Sequence, residues 1–180
     1  MPFATKENMR KILVLLAFSL CFVGFSQEKV NWLGFEEAIK LNKENPKPIL
    51  LDVYADWCGY CKKMDRDTYA NPTIAKYINE NFYAIKMNGE GKEDITYKGH
   101  TFKYQQQGRM QFHELAAAFL EGKLSYPTTI FMTKEEQFLQ KIPGYLGPQR
   151  FEIILAYFNT EAYKDTDWAD FEKKFKGTIK

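Results

Sequence analysis

The chain has 180 residues, and its first 26 differ from the rest. Without them 154 residues remain, with 22 basic and 22 acidic side chains and a net charge of zero. That length fits one domain, and the balance leaves no basic excess to suggest nucleic acid as a partner. Aromatic residues make up 16% of the chain, enough for a real core without many disulfides.

The N-terminal stretch carries "MRK" at 9–11, the apolar run "ILVLLAFSLCFVGF" at 12–25, and small residues in "GFS" at 24–26 before Gln27. This is the pattern of a secretory signal peptide over 1–26. The run is short for a membrane span, which needs about 18 or more apolar residues, so no stable span is expected after cleavage. Met9 also reads as a natural start. Cys21 follows Leu20, where a lipid-attachment signal wants a small residue.

"FEEAIKLNKENPKP", 35–48, predicts an amphipathic helix stopped by Pro46 and Pro48. "ILLDVYA", 49–55, predicts a buried strand interrupted by one acid, Asp52. A helix is expected from after Trp57 to about Tyr69, broken by Asn71-Pro72 and resumed through "PTIAKYINENF". "FYAIKMN", 82–88, predicts a second buried strand. "ITYKGHTFKY", 95–104, alternates on both sides of Lys98-Gly99 and predicts a small hairpin. "MQFHELAAAFLEGK", 110–123, reads as a helix. "PTTIFMT", 127–133, and "QFLQKI", 137–142, predict strands joined by a polar turn. "GPQRFEIILAYF", 147–158, predicts a helix with Pro148 in its first turn. The tail predicts a last short helix capped by Thr166 or Asp167. Strand–helix–strand at the front implies a parallel pair and the late hairpin an antiparallel part, so the fold class is α/β, a mixed sheet flanked by helices.

"DWCGYCKK", 56–63, holds the only two cysteines after residue 26, Cys58 and Cys61. A structural zinc needs four ligands and this pair gives two; His100 and His113, thirteen apart, add no useful spacing. A purely structural disulfide would close a very short loop, with little entropic stabilisation. Redox chemistry is the third reading. Cys58 falls at a strand-to-helix junction, where helix N–H groups stabilise a thiolate, and Cys61 lies one turn on, placed to resolve a mixed disulfide. Trp57 offers an apolar shoulder and Gly59 room for a partner chain. Cys58 is accordingly expected to be partly exposed and Cys61 more buried. Desolvation should raise the Asp52 pKa.

"LLDVYADWCGYCKKM" resembles the thioredoxin family. "YAIKMN" is similar to that family's next strand with its lysine, "YPTTIF" to the strand with a cis-proline beside the disulfide, and "GYLGPQRF" to its closing glycine turn and last helix. The resemblance covers roughly 33–158 and is closest in style to exported members with a WCGYC-like site. It implies a thioredoxin fold over 27–160, with a hairpin inserted at about 89–110 before the cis-proline strand and a helical tail over 161–180. It implies Cys58 as attacking thiol, Cys61 as resolving thiol and Asp52 as the buried acid that relays a proton. Lys86 would be the charge partner of Asp52 and would moderate the rise in its pKa. Pro127 would be the cis-proline, with Tyr126, Gly59 and Tyr60 in the substrate groove beside Trp57.

The chain departs from the family in Gly59-Tyr60 between the cysteines, in Tyr126 before the proline, and in the 39 positions from Asn88 to Pro127, about twice the usual interval. The aromatics Tyr97, Phe102 and Tyr104 of the expected insertion are read as contact area for a partner segment near the rim of the site. The expected function is an exported thiol–disulfide oxidoreductase of a bacterial periplasm or cell envelope, probing cysteine-containing proteins and exchanging electrons with a redox donor or acceptor protein. It is expected to be a monomer with no cofactor beyond its own Cys58–Cys61 couple. The rival is a redox-inactive thioredoxin-fold binding or assembly module.

Overall fold

The computed structural model describes residues 28–179; the expected signal peptide lies outside the described residues. Strand β1 (Trp32–Leu33) leads into helix α1 (Phe35–Glu44), then β2 (Ile49–Tyr54), α2 (Gly59–Met64), a π-helical turn (Asp65–Tyr69), α3 (Pro72–Asn81) and β3 (Tyr83–Asn88). Two hairpins follow: β4 (Ile95–Tyr97) with β5 (His100–Phe102), and β6 (Tyr104–Gln107) with β7 (Met110–His113). Then come α4 (Glu114–Phe119), β8 (Thr128–Met132), β9 (Phe138–Pro143), α5 (Pro148–Asn159), a 3-10 turn (Ala162–Lys164) and α6 (Trp168–Lys174).

The central sheet has the order β1-β3-β2-β8-β9. β2 and β3 run parallel, and β8 and β9 are antiparallel. β2 is apolar on both faces because it is covered on both. Ile49, Leu51 and Val53 join a core with Phe35, Ile39, Leu115 and Leu120. Leu50 joins a second with Met64, Ile74, Phe131, Phe151 and Leu155. The mixed sheet flanked by helices is what the element order predicts, and it is the thioredoxin arrangement that the resemblance implies.

Several elements differ from expectation. β1 is an extra edge strand, too short for any periodicity to reveal. The helix after the cysteines changes at Met64 to a π-turn in which the Ala70 amide bonds to the Asp65 carbonyl at 3.0 Å. Residues 110–113 form a strand, not the start of a helix. Met110–His113 pairs with Tyr104–Gln107 around Gly108, whose φ of +61° suits a tight turn. The helix begins only at Glu114, where the His113 ring accepts the Leu115 amide at 3.2 Å. The expected single hairpin is therefore a pair ending at His113. The first turns through Lys98-Gly99, both at positive φ, as a two-residue hairpin loop requires.

The first hairpin packs on the parent fold, as an isolated hairpin must to be ordered. Tyr97 packs edge-on against Phe35 (5.0 Å) and beside Phe119 (6.4 Å), and Phe102 joins the same core. Tyr97 and Phe102 are half-buried in this contact with the parent fold. A hairpin alone is marginal in water, and this packing is what orders it.

At the other end, Asp167 caps α6 through the Ala169 amide (2.9 Å). The buried Glu152 of α5 accepts from the Thr178 amide (2.8 Å), the Thr178 hydroxyl (2.6 Å) and the Ile179 amide (3.1 Å). These bonds hold its carboxyl below the usual glutamate range against the opposing effect of burial. Glu152→Ala is expected to release the tail. Hydrogen exchange should then show the Thr178 and Ile179 amides losing protection while amides of β2 keep theirs; retained tail protection would contradict this role.

Candidate active site

Parallel pairing brings the C-terminal ends of β2 and β3 to the same side, with Tyr54 opposite Asn88. In open α/β sheets such strand ends are where ligand-handling loops gather. The loop after β2 carries Asp56 and Trp57 and enters α2 at Cys58. The Asn88 side-chain Nδ2 donates to Asp56 (3.0 Å), and the Trp57 indole donates to Glu90 (2.9 Å). Two bonds thus fix the loop to the turn that leaves β3.

Cys58 and Cys61 are joined as a disulfide with their Cα atoms 5.3 Å apart. Cys58 caps α2, and its sulfur accepts the Cys61 amide at 3.0 Å. Cys58 is not partly exposed as expected: it is 4% exposed against 3% for Cys61. In the closed disulfide both sulfurs sit among Ala55, Tyr54 and Tyr126, so difference in burial does not distinguish the two. The local hydrogen bond does, because only the Cys58 sulfur accepts a helix amide.

The Tyr126-Pro127 peptide is cis, as the family resemblance implies. Tyr126 packs against the cysteine cluster and lies edge-on to Trp57 at 5.9 Å. Burial, helped by the charge of Glu90, pushes its hydroxyl up to about 12. Trp57 and Tyr60 are 68% and 66% exposed, an aromatic rim around a buried disulfide. Gly59 has open space where a side chain would project.

Gly89 is a different case. A Cβ there would stand 2.4–2.6 Å from three atoms of the Tyr126 ring and hydroxyl, closer than any real contact. Gly89→Ala is expected to push Tyr126 off the cysteines and to cost about 1–3 kcal/mol of stability. Tyr126→Ala made in the Gly89→Ala background removes the obstacle, so the two substitutions should be strongly non-additive in urea melts. Simple additivity would argue against the clash.

Asp52 lies fully buried on β2, opposite Lys86 on one side and Thr129 on the other. Its Oδ2 accepts from Lys86 Nζ at 3.1 Å. Burial raises its pKa from the ordinary 3.8 to about 6, and Lys86 pulls the other way, which is the balance expected from the sequence. Lys86 also bonds Asp65, and its ammonium sits 4.9–5.3 Å from the rings of Trp32, Tyr54 and Tyr69. Asp65 follows Cys61 by one helical turn, so Lys86 ties the buried acid to the helix that carries the dithiol.

Sequence reasoning missed Asp65, Glu90, Tyr69 and Thr129. Asp65 had a signal, because i and i+4 share a helix face. Glu90 had one too, since the parallel pairing of β2 and β3 puts residues after Asn88 beside residues after Tyr54.

A disulfide closing one turn at a helix start, packed against the tyrosine of a cis Tyr126-Pro127 peptide, on a mixed sheet whose central strand carries a buried acid, is the arrangement of a thioredoxin-fold protein. The family model for a thioredoxin-like domain (Thioredoxin_2) matches residues 35–159, and the chain belongs to that family. It is 36% identical over 148 residues to an uncharacterized protein of Caenorhabditis elegans, covering 76% of this chain and 18% of that protein. It is 31% identical over 132 residues to a protein disulfide-isomerase of Schizosaccharomyces pombe, covering 72% of this chain and 28% of the relative. The chain thus spans less than a third of either protein's length. A 45-residue stretch, 25% of this chain and 8% of the relative, is 36% identical to the thiol:disulfide interchange protein DsbD of Vibrio vulnificus. Among solved structures, a thioredoxin-fold protein from Helicobacter pylori superposes with a TM-score of 0.54 at 23% identity, over 72% of this chain and 80% of that one. That likeness concerns the fold. Among the described residues no helix is long and apolar enough to cross a membrane.

Proposed function

We propose that the protein is an exported thiol–disulfide oxidoreductase that exchanges disulfides with cysteine-containing proteins through Cys58 and Cys61. The observation that carries this reading is the Cys58 sulfur accepting the Cys61 amide at a helix start, since the same bond stabilises a Cys58 thiolate once the pair is reduced. The protein disulfide-isomerase and interchange-protein relatives support the same reaction class. Export and a periplasmic or cell-envelope location rest on the 9–26 sequence pattern.

In the reducing direction the Cys58 thiolate attacks one sulfur of a partner disulfide, and the partner's other sulfur leaves as a thiolate. Cys61 then gives its proton to the Asp52 carboxylate, and its sulfur attacks Cys58. The S–S bond to the partner breaks, and the partner's second sulfur departs and takes up a proton. The partner gains two electrons and the Cys58–Cys61 dithiol loses two. No metal or organic cofactor enters these steps. A separate donor or acceptor protein resets the couple, and its potential sets the direction. Lys86 holds Asp52, Trp57 and Tyr60 present the rim, and Tyr126 with Pro127 lines the groove.

Insulin reduction by the purified protein, with dithiothreitol as electron source, tests this. Turnover that depends on Cys58 supports the oxidoreductase. Inertness in a folded protein would favour a redox-inactive binding module. The potential of the couple then sets the role: near about −270 mV marks a reductant, near about −120 mV an oxidant.

A further inference from the structure

Lys86 reaches two carboxylates at once. Its Nζ donates to Asp52 Oδ2 at 3.1 Å and also to Asp65 Oδ1. The three side chains grade from interior to solvent: Asp52 is 2% exposed, Lys86 19% and Asp65 44%. Asp65 stands at the C-cap of α2, and its amide bonds to the Cys61 carbonyl, so this acid rides on the turn that carries the second thiol. An open cleft lined by Lys29, Trp32, Asp65, Tyr69 and Lys86 brings solvent to the outer end of the trio. The other titratable groups acting on Asp52 are Tyr69 from the π-turn and Tyr54 from its own strand, while β8 opposes it with the uncharged Thr129.

One ammonium cannot neutralise two carboxylates. With both acids ionised, two negative charges face one positive charge, and the repulsion falls hardest on the desolvated member. A proton on Asp52 leaves a neutral Lys86–Asp65 pair behind. We propose that Asp65 is a positioning residue of the dithiol site: by taking a share of the Lys86 ammonium it keeps Asp52 able both to accept the Cys61 proton and to give it up. Alone with Lys86, Asp52 would be a fixed carboxylate and a weak proton acceptor. Without Lys86 it would stay a carboxylic acid and accept nothing. Sharing sets it between the two, near the working pH where a proton acceptor is most effective. The pKa of about 6 at Asp52 agrees: burial raises it most, Lys86 lowers it and the Asp65 charge raises it again.

This deepens the proposed reaction and rests on Asp52 as its proton acceptor, but its first test does not need turnover. The probe is the carboxyl-carbon NMR titration of Asp52 in the oxidised protein. Asp65→Asn should lower the Asp52 midpoint by about one pH unit, because Lys86 then serves Asp52 alone. Asp65→Glu, which keeps the charge, should stay near the wild-type midpoint. In a Lys86→Met background the midpoint should start higher, and Asp65→Asn should move it much less, since no ammonium is left to share. The Asn/Glu comparison decides alone if Lys86→Met does not fold. In the reduced protein, Asp65→Asn should also lower the pH midpoint for release of a mixed disulfide by Cys61, with a slower plateau at high pH. An unmoved or raised Asp52 midpoint with Asp65→Asn, equal behaviour of Asn and Glu, or a full shift in the Lys86→Met background would overturn the inference. So would a release rate lowered equally at every pH, the mark of a merely structural Asp65. Inert wild-type protein in the insulin assay, together with the expected midpoint shifts, would instead sink the oxidoreductase reading and leave the charge sharing standing.

Discussion

Cys61→Ala is expected to turn a catalyst into a trap. With Cys58 intact, the first exchange still forms a mixed disulfide, and no second thiol remains to release it. Incubation with a disulfide-bearing protein should yield a covalent adduct stable on a non-reducing gel and cleaved by dithiothreitol. Cys58→Ala should give neither adduct nor turnover, because Cys61 is as buried as Cys58 and no helix amide is directed at its sulfur. Each variant should keep the fold, since the bond closes only a four-residue loop whose entropic contribution is small. Adducts that formed through Cys61 in the Cys58→Ala protein would reverse the assignment of roles.

Asp52→Asn should stabilise the protein at neutral pH while slowing its chemistry. The folded state raises the Asp52 pKa from 3.8 to about 6. A carboxyl raised on folding favours the folded state while protonated, so its contribution is fully present below about pH 4 and is lost as pH rises towards 6. Two units at 1.36 kcal/mol each make the cost of ionised Asp52 at pH 7 about 3 kcal/mol. Asparagine removes the charge, and Lys86 keeps Asp65 as a partner. A gain of about 1–3 kcal/mol is expected at pH 7, and almost none at pH 4, in urea melts at the two pH values. Resolution of the mixed disulfide should slow by about 10²-fold, the usual worth of a positioned proton acceptor. An equal gain at both pH values would show that the effect is not one of charge.

The dithiol and the buried acid were legible because each sits in a local motif, Trp57-Cys58 at a strand end and Asp52 inside an apolar run; the cis-proline at Tyr126-Pro127 was legible only through the family resemblance. Lys86 was legible only through the family resemblance. Partners supplied from a distance were not. Glu90 meets Trp57 only through the parallel pairing of β2 and β3, a signal that lies outside any local motif, and Thr129 reads as one more β-branched strand residue. The second hairpin was hidden by "HELAAAF", whose helical periodicity dominates its window; the preceding "MQFH" alternates too briefly to compete. The burial of Cys58 was missed because the reasoning addressed an open thiol, whereas a closed disulfide draws both sulfurs under Tyr126.

The Gly89 carbonyl accepts the His113 amide at 2.7 Å, and the Gly89 amide bonds back to the Tyr54 carbonyl, also at 2.7 Å. The chain leaves the sheet at Gly89 and returns, 24 positions later, to the same peptide group. A loop clasped at its base behaves as an exchangeable cassette. Extra residues at its two tips add only a slowly growing closure entropy, about 0.6 kcal/mol for each doubling of length, and transmit no strain to Trp57 or Tyr126. The region between Gly89 and His113 is therefore where this scaffold can accept new sequence, at Lys98-Gly99 and Gly108-Arg109, while the dithiol stays unchanged.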